Sequence, residues 1–584
     1  MPAAPRSDDR LAPNQIERED RPDGSVLLHN RAVLPSLLPD ILARFDHWVE
    51  LDRDATFISE RNSGDILTTS YGEIDRHSDA LADELVKRGL APGATVAVIA
   101  GSGALHASLK LACLKANLVH VPLSPLLLTS DHGRKRLAGL LNAAAPRVTV
   151  ASPQEINAEL TALCGSIIEP NALKEVPETP FSRAVADPDD RAATYFTSGS
   201  TGVPKGVSIT RRMIASCQCA YGIHWPFLAA RRPVLIDWLP WHHVFGGLDN
   251  FHKMIWFGGA YHVETSPEPD NMTAFAARIR AVRPTIHINV PYGIDLLLDH
   301  LADDAVTRAA LFERLDLIFF AGAGMGTQTW QRLCDAVAVG PHGPGGPPLV
   351  LSGYGATETG STMCLGHEPA GRTDEIGLPL PGHVLRLVPV DGALEVRFQG
   401  PNVSPGYVVS SGLESLSLDE DGFLRTGDLA RALHDDAPER GLCFDGRLAE
   451  DFKLTTGSRV KVGALRHALL AACAPDLQDV AIAGAGQARI SAILFPTEAA
   501  MAEHDGDLQA QMARALKAHN AAMPGSSTSV FRAAIAEGPP DRSAGEINDK
   551  GHLVQKTCLR NRAELVERLY GDSPDPGIIC PDNI

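Results

Sequence analysis

From residue 70 onward the hydrophobic positions of the chain switch repeatedly between two periods. "SYGEIDRHSDALADELVKRGL" opens with Ser70 and Glu73 spaced as a capping box and carries Ile74, Leu81 and Leu85 at helical spacing, which predicts a helix. "PGATVAVIAGSG" predicts a buried strand and turn, "ALHASLKLACLKANL" a helix, "VHVPL" a strand, "GRKRLAGLLNAAA" a helix and "RVTVA" a strand. Helices alternating with short β-branched runs predict an α/β domain built on mainly parallel sheets. "RPVLIDWLP", "PTIHINV", "RLDLIFFAGAG" and "LVLSGYGATETG" continue the strands, each ending in Pro or Gly. In such sheets ligand loops gather at the carboxyl ends of strands, where these polar segments fall.

The texture changes from about residue 380. "HVLRLVPV", "ALEVRFQG" and "FLRTGD" are short strands with turns and predict a β-rich subdomain. A second α/β pattern follows: a helix near 463–473, strands near 479–483 and 489–495, and a helix near 507–521. One last helix is expected, with Leu559, Leu565, Val566 and Leu569 on one side. The first 65 residues carry charge and proline without clear period and are expected to be irregular.

Composition narrows the picture. At 584 residues the chain exceeds one core, so a large domain with a smaller one is expected. Lys+Arg 53 against Asp+Glu 71 gives a net charge of −18, which argues against nucleic-acid and anionic-membrane partners. The amino terminus lacks an apolar h-region, and no stretch of about eighteen apolar residues occurs, so neither a secretory signal nor a membrane helix is expected. The ten cysteines are scattered, with only Cys217 and Cys219 close together, as in a reducing, cytoplasmic protein.

The candidate chemistry begins at "YFTSGSTGVPKGV". Glycines at 199, 202 and 206, with the hydroxyls of Thr197, Ser198, Ser200 and Thr201 and the amine of Lys205, form a cradle for phosphate oxygens. A flexible surface loop would share this composition, but its strand-like entry and terminal lysine favour an anion site. It is no Walker A loop: Gly206 follows Lys205 where that motif needs a metal-binding hydroxyl.

Four other segments are polar enough to matter. "PWHHVFGG" sets His242 and His243 among aromatics, a pocket wall rather than a metal site because adjacent side chains diverge. "YGATETG" holds Thr357 and Glu358, which suit either one magnesium ligand with its hydroxyls or a helix start. "RTGDLA" places Asp428 after a turn, as a ribose acceptor or a common Gly-Asp turn; Arg447 in "GRLAEDFKL" is an ion-pair or a ribose and phosphate contact. Lys550 in "GEINDKGHL" is by itself an ordinary loop lysine.

In this order the set resembles the acyl-adenylate-forming superfamily, which includes acyl-CoA synthetases, luciferases and peptide-synthetase adenylation domains. The likeness spans residues 60–570. "ERN", "SPLLLTSDHGRKR", "FFAGAGMGTQTW", "GRLAEDFKLTTGSRVKVGALR" and "GEINDKGHLVQK" are similar to feruloyl-CoA synthases. The resemblance implies a large AMP- and acyl-binding domain over 1–447, a hinge at 448–450 and a small mobile α+β domain over 451–584. It implies ATP, magnesium and coenzyme A, and a carboxylic acid substrate such as ferulate; another aryl or bulky acid, or a non-catalytic relative, are the alternatives.

By the same resemblance, Thr197, Ser198, Gly199, Ser200, Thr201, Gly202 and Lys205 hold the β- and γ-phosphates, and Glu358 holds magnesium. Thr357 meets the α-phosphate beside Tyr354 and Gly355, while Asp428 and Arg447 bind ribose. Lys550, chosen over Lys556 because it sits in the loop, bridges carboxylate and α-phosphate. His243, Val244 and Phe245, with Gly322, Ala323, Gly324 and Tyr354, line the acyl pocket, and Gly457 borders the CoA channel. Trp241, Phe245, Phe320 and Tyr354 are expected to offer flat surfaces to an aromatic ring.

Overall fold

The computed structural model describes residues 10–62, 64–164, 167–168, 179–197, 205–265, 271–343, 345–390, 392–409, 412–434, 436–503, 507–541, 544–547, 553–571 and 576–581. Two sheets and the helices between them make up the large amino-terminal part. One has eight strands; the other has 15 and changes character along its length. Its parallel half runs through Thr56–Asn62, Ala260–Val263, Val234–Asp237, Ile286–Asn289, Leu317–Ala321 and Leu349–Tyr354. Its antiparallel half, from Glu375–Pro379 through Leu442–Arg447, Leu424–Ala432, Ala393–Gln399 and Val384–Val390, is the expected β-rich region.

Local signals account for the individual elements. The helix Tyr71–Lys87 starts at Ser70, whose hydroxyl accepts from Glu73 N at 3.2 Å while Glu73 Oε2 accepts from Ser70 N at 2.8 Å. This reciprocal cap satisfies two donors that a helix start otherwise leaves unbonded. Ile74, Leu81 and Leu85 on its inner face are buried, each contributing about 1.5–3 kcal/mol. The helix Ala104–Lys115 is buried almost all round, because it touches strands of both sheets.

Two expectations are corrected. The described residues of the first 65 form regular elements: Ile16–Asp20 and Val26–Asn30 form a hairpin, followed by the helix Ile41–Asp52 and the strand Thr56–Asn62. The hairpin turns at Gly24, with φ of +80°, and its second strand pairs with Val384–Val390, from Val384 opposite His29 to Leu387 opposite Val26, so its order comes from a partner far along the chain. The helix is capped by Asp40 and buries Ile41, Leu42 and Phe45. The single last helix is instead two, Gln555–Asn561 and Ala563–Tyr570. They meet at Arg562, whose Nη2 donates to the buried Glu546 Oε2 at 2.8 Å.

The carboxyl-terminal part has its own four-stranded sheet of Leu477–Ala483, Ile490–Pro496, Val530–Ile535 and Ile578–Ile579. The helices Val462–Ala472 and Leu508–Ala522 cover one face through Leu465, Leu469, Met512 and Leu516. It touches the large part where Gly463 backs onto Gly446; a Cβ on Gly463 would lie 2.7 Å from Gly446 Cα. Lys461 and Asp445 pair across the same junction at 3.4 Å.

Candidate active site

The strands Arg191–Thr197 and Lys205–Thr210 pair antiparallel, so the glycine- and hydroxyl-rich segment between them joins the two arms of a hairpin. Thr197 and Lys205 face each other at its base. Ser198, Gly199, Ser200, Thr201 and Gly202 lie outside the described residues. Gly206 is glycine for packing: a Cβ there would sit 2.8 Å from Thr194 Cγ2 and 3.1 Å from the Phe196 ring.

Lys205–Thr210 pairs on its other side with Tyr407–Val409, aligning Val207 with Tyr407. Lys205 Nζ therefore stands 4.7 Å from the Tyr407 ring centroid, a cation–π contact. The Tyr407 hydroxyl donates to Glu358 Oε1 at 2.9 Å. Burial and then the Glu358 charge raise the Tyr407 phenol, so it stays a donor. Glu358 sits in a tight turn, Thr357–Thr359, after the strand Leu349–Tyr354. The turn is anchored through Ser404 N donating to Glu358 O at 2.8 Å. Gly355 cannot carry a side chain, since its Cβ would overlap the carbonyl of Ser361. Tyr407 was not singled out from sequence; it reaches the site only through strand pairing.

A second group forms where Leu424–Ala432 pairs with Leu442–Arg447. Asp428 and Arg447 are direct cross-strand partners, and Arg447 Nε lies 3.1 Å from Asp428 Oδ1. The Tyr354 hydroxyl donates to Asp428 Oδ2. Asp428 is nearly buried while the Arg447 side chain is largely exposed, so the carboxylate is held in place and the guanidinium can turn toward a ligand. The Asp428 charge raises Arg447 further above its ordinary range.

His243 begins a wide helical turn, Val244–Asn250, and Phe245 approaches Phe319 edge-on at 6.2 Å between centroids. Gly322, with φ of +86°, follows the strand Leu317–Ala321 and leads through Ala323 to Gly324. A Cβ on Gly324 would lie 3.7 Å from His467 Cε1 of the helix Val462–Ala472. Two expected ring surfaces are committed elsewhere. Trp241 is 1% exposed and donates through Nε1 to Tyr261 at 3.0 Å; Phe320, also 1% exposed, packs on Trp330 in a separate core. Tyr261 in turn donates to Asp237 Oδ2 at 2.6 Å, and burial pushes Asp237 up to about 6. Burial, then His243, His106 and Arg136, drive His242 well below the usual imidazole range. Among the described residues no group of three or more His, Cys, Asp or Glu could hold a metal ion. Glu358 belongs to no such group, and a single carboxylate of this kind suits only a cation that takes its other ligands from water and phosphate.

The expected hinge follows directly. Leu448 N donates to Gly427 O at 2.8 Å and Glu450 N to Arg447 O at 3.0 Å, with Ala449 between them; burial raises Glu450. Gly457 lies between the short strands Phe452–Lys453 and Arg459–Val460, with φ of +84° and nothing within 4 Å of where a Cβ would be. In this domain arrangement glycine is required there by its backbone angle rather than by crowding. Lys550 lies outside the described residues, bracketed by the bridge between Ile547 and Leu553, while the exposed Lys556 is in the helix Gln555–Asn561.

The described residues contain no helix long and apolar enough to cross a membrane. In sequence the chain is 26% identical over 430 residues to atromentin synthetase of Suillus grevillei, covering 68% of this chain and 43% of that protein. It is 24% identical over 500 residues to the peroxisomal long-chain acyl-CoA synthetase 6 of Arabidopsis thaliana, covering 72% and 69%. This chain thus spans less than half the length of the first of these relatives. In structure it is similar to ATP-bound MatB of Rhodopseudomonas palustris, with a TM-score of 0.71 at 21% identity over 90% of this chain and 100% of that one. O-succinylbenzoate coenzyme A synthetase of Bacillus subtilis with AMP gives 0.69 at 17% over 88% and 97%. These likenesses establish the fold. The family of AMP-binding enzymes matches residues 45–408, and its carboxyl-terminal domain matches 451–574. A match over more than half of the chain, which includes the hairpin of Arg191–Thr197 and Lys205–Thr210, Glu358 and Tyr407, makes this protein a member of the AMP-binding enzyme family.

Proposed function

We propose that this protein is an ATP-dependent acid–CoA ligase acting on an aryl carboxylic acid, with a hydroxycinnamate such as ferulate as the favoured substrate. The observation that carries the reading is the Lys205–Tyr407–Glu358 group at the base of the phosphate loop. Cation, donor and carboxylate there come from three separate segments. The Asp428–Arg447 pair would offer ribose hydroxyls an acceptor and a donor.

In the first half-reaction a carboxylate oxygen of the acid forms a bond to the α-phosphorus of ATP, and the bond to pyrophosphate breaks. Like charges meet in that step, so positioning and charge neutralisation dominate. Lys205 and the hydroxyls from Thr197 onward would hold the outer phosphates, Thr357 the α-phosphate and Asp428 the ribose hydroxyls. Glu358 would hold magnesium, which supplies further charge neutralisation. Lys550 would stand between the carboxylate and the α-phosphate. In the second half-reaction the CoA sulfur bonds to the acyl carbon, AMP leaves, and the thiol proton passes to solvent. Passage of the thiol is assigned to the side bordered by Gly457.

The partly buried Phe245 at the start of the wide turn supports an aryl acid, as does the small lining of Gly322 to Gly324, which leaves width for a planar ring. Acid-dependent ATP–pyrophosphate exchange across cinnamic, benzoic and medium-chain fatty acids, followed by thioester detection with CoA, tests the whole reading. Exchange without thioester would remove CoA from it, and faster turnover on octanoate than on every aryl acid would remove the substrate. No exchange with any acid would leave a non-catalytic relative.

A further inference from the structure

The turn Val244–Asn250 is wound wider than an α-helix: Phe251 N reaches back to Gly246 O, five residues earlier. Such turns leave carbonyls poorly served by their own helix and recur at functional sites. Here three consecutive carbonyls are taken by side chains from outside or beyond the turn. Gly247 O accepts from Lys110 Nζ, Leu248 O from His252 Nδ1 at 2.6 Å, and Asp249 O from Gln218 Nε2 at 3.2 Å. All three donors are at most 2% exposed.

Lys110 needs a reason to be there. Its Nζ lies 4.3 Å from the Phe251 ring centroid, it has no carboxylate partner among the described residues, and burying an amine this deeply is costly. Among the described residues, its one hydrogen bond goes to the Gly247 carbonyl. The Asp249 side chain extends the arrangement, accepting from Lys253 Nζ at 2.8 Å and from the Tyr221 hydroxyl at 3.1 Å. Tyr221 also shares a 2.8 Å hydrogen bond with Thr362, three residues beyond the Thr357–Thr359 turn. On the opposite side the turn is pressed against strand-end backbone. A Cβ on Gly246 would lie 2.5 Å from Leu239 O, and one on Gly247 would overlap Trp241 O.

We propose that Lys110, Gln218 and Asp249 are positioning residues that hold this turn wide and so place His243, Val244 and Phe245 along the acid. The proposal rests on the acyl-pocket reading above. Glycine backbones fix one side of the turn and borrowed donors fix the other. Releasing a donor leaves a buried carbonyl unpaired, which the turn relieves by tightening toward α-helix. Tightening rotates the residues at its start, and the wall moves while the phosphate and ribose groups stay in place.

The test uses the full chain with Lys110→Met, which keeps the length of the side chain and removes its donor, and Gln218→Met as an independent second variant. Hydrogen exchange of the amides at 244–250 is expected to quicken about tenfold in each, with the helix Tyr71–Lys87 unchanged. The KM for the acid is expected to rise about tenfold and the preference among acids of different length to shift, while the KM for ATP stays within about twofold. Unchanged exchange at 244–250, or equal losses for acid and ATP, overturns the proposal. If one variant fails to fold, the other decides by the same readings. If the wild-type chain shows no acid-dependent pyrophosphate exchange, the functional reading fails, and amide exchange still decides whether the donors hold the turn.

Discussion

The hydroxyl of Tyr407 donates to Glu358 Oε1 at 2.9 Å. The same ring faces Lys205 Nζ at 4.7 Å. One side chain therefore orients the carboxylate assigned to magnesium and steadies the lysine assigned to phosphate.

Tyr407→Phe removes the hydrogen bond and keeps the ring. A hydrogen bond to a charged group contributes about 1.5–3 kcal/mol, so pyrophosphate exchange should slow by roughly ten- to a hundredfold, with little change in the KM for the acid. Tyr407→Leu loses the ring as well and should be slower still. Wild-type rates in Tyr407→Phe would show that Glu358 needs no orienting donor.

Asp428 accepts from Tyr354 and pairs with Arg447 at 3.1 Å. Asp428→Ala should raise the KM for ATP by about ten- to a hundredfold, because it removes the proposed ribose acceptor and frees Arg447. Tyr354→Phe keeps the carboxylate and should cost only about threefold. Steady-state kinetics at saturating acid checks both; an unchanged KM for ATP in Asp428→Ala would remove this pair from the nucleotide site.

Lys550 and Gly457 should separate the half-reactions. Lys550→Ala is expected to lose adenylation by roughly two to three orders of magnitude, the cost of removing one preorganised charge-stabilising group, and to convert supplied acyl-adenylate to thioester. Gly457 has open space around it in this arrangement, and its φ of +84° means that Leu costs backbone strain rather than a clash, so Gly457→Leu should lower the melting temperature somewhat, keep pyrophosphate exchange and fail at thioester formation. Single-turnover assays of each step decide. Loss of adenylation in Lys556→Ala with normal Lys550→Ala would move the role to Lys556.

Glu375, on the strand Glu375–Pro379, is pushed up to about 7 by burial, reinforced by Glu368 and Asp374. An unfolded glutamate titrates near 4.3, so between about 4.5 and 7 the folded chain holds a proton that the unfolded chain has released. Stability from this group is therefore present below that window and lost as pH rises through it. Glu375→Gln should stabilise by about 1–3 kcal/mol at pH 8 and have little effect at pH 4.5. Melting curves of both proteins at the two pH values check the sign; an equal shift at both would exclude ionisation as its cause.

What the sequence determined by itself is local. The helix Tyr71–Lys87 was legible because its cap and apolar face lie within one short segment. The strand-to-loop segments ending at Thr197, Gly322 and Gly355 were legible because glycine and hydroxyls follow β-branched runs directly. Asp428 and Arg447 stood out as charged residues in glycine turns, although nothing in their spacing showed that they face each other. That pairing comes from strand register.

Tertiary structure decided what depends on partners far along the chain. Tyr407 enters the site because its strand pairs with Lys205–Thr210, 200 residues earlier. The first hairpin is ordered by the strand Val384–Val390, and Lys110 reads as an ordinary helix lysine until the Gly247 carbonyl is set against it. Trp241 and Phe320 were expected at the ligand, yet an aromatic ring looks the same in sequence whether it faces a pocket or a core. Capping and periodicity are written in neighbouring residues, whereas register, burial and the fate of a backbone carbonyl are settled only when distant segments close on one another.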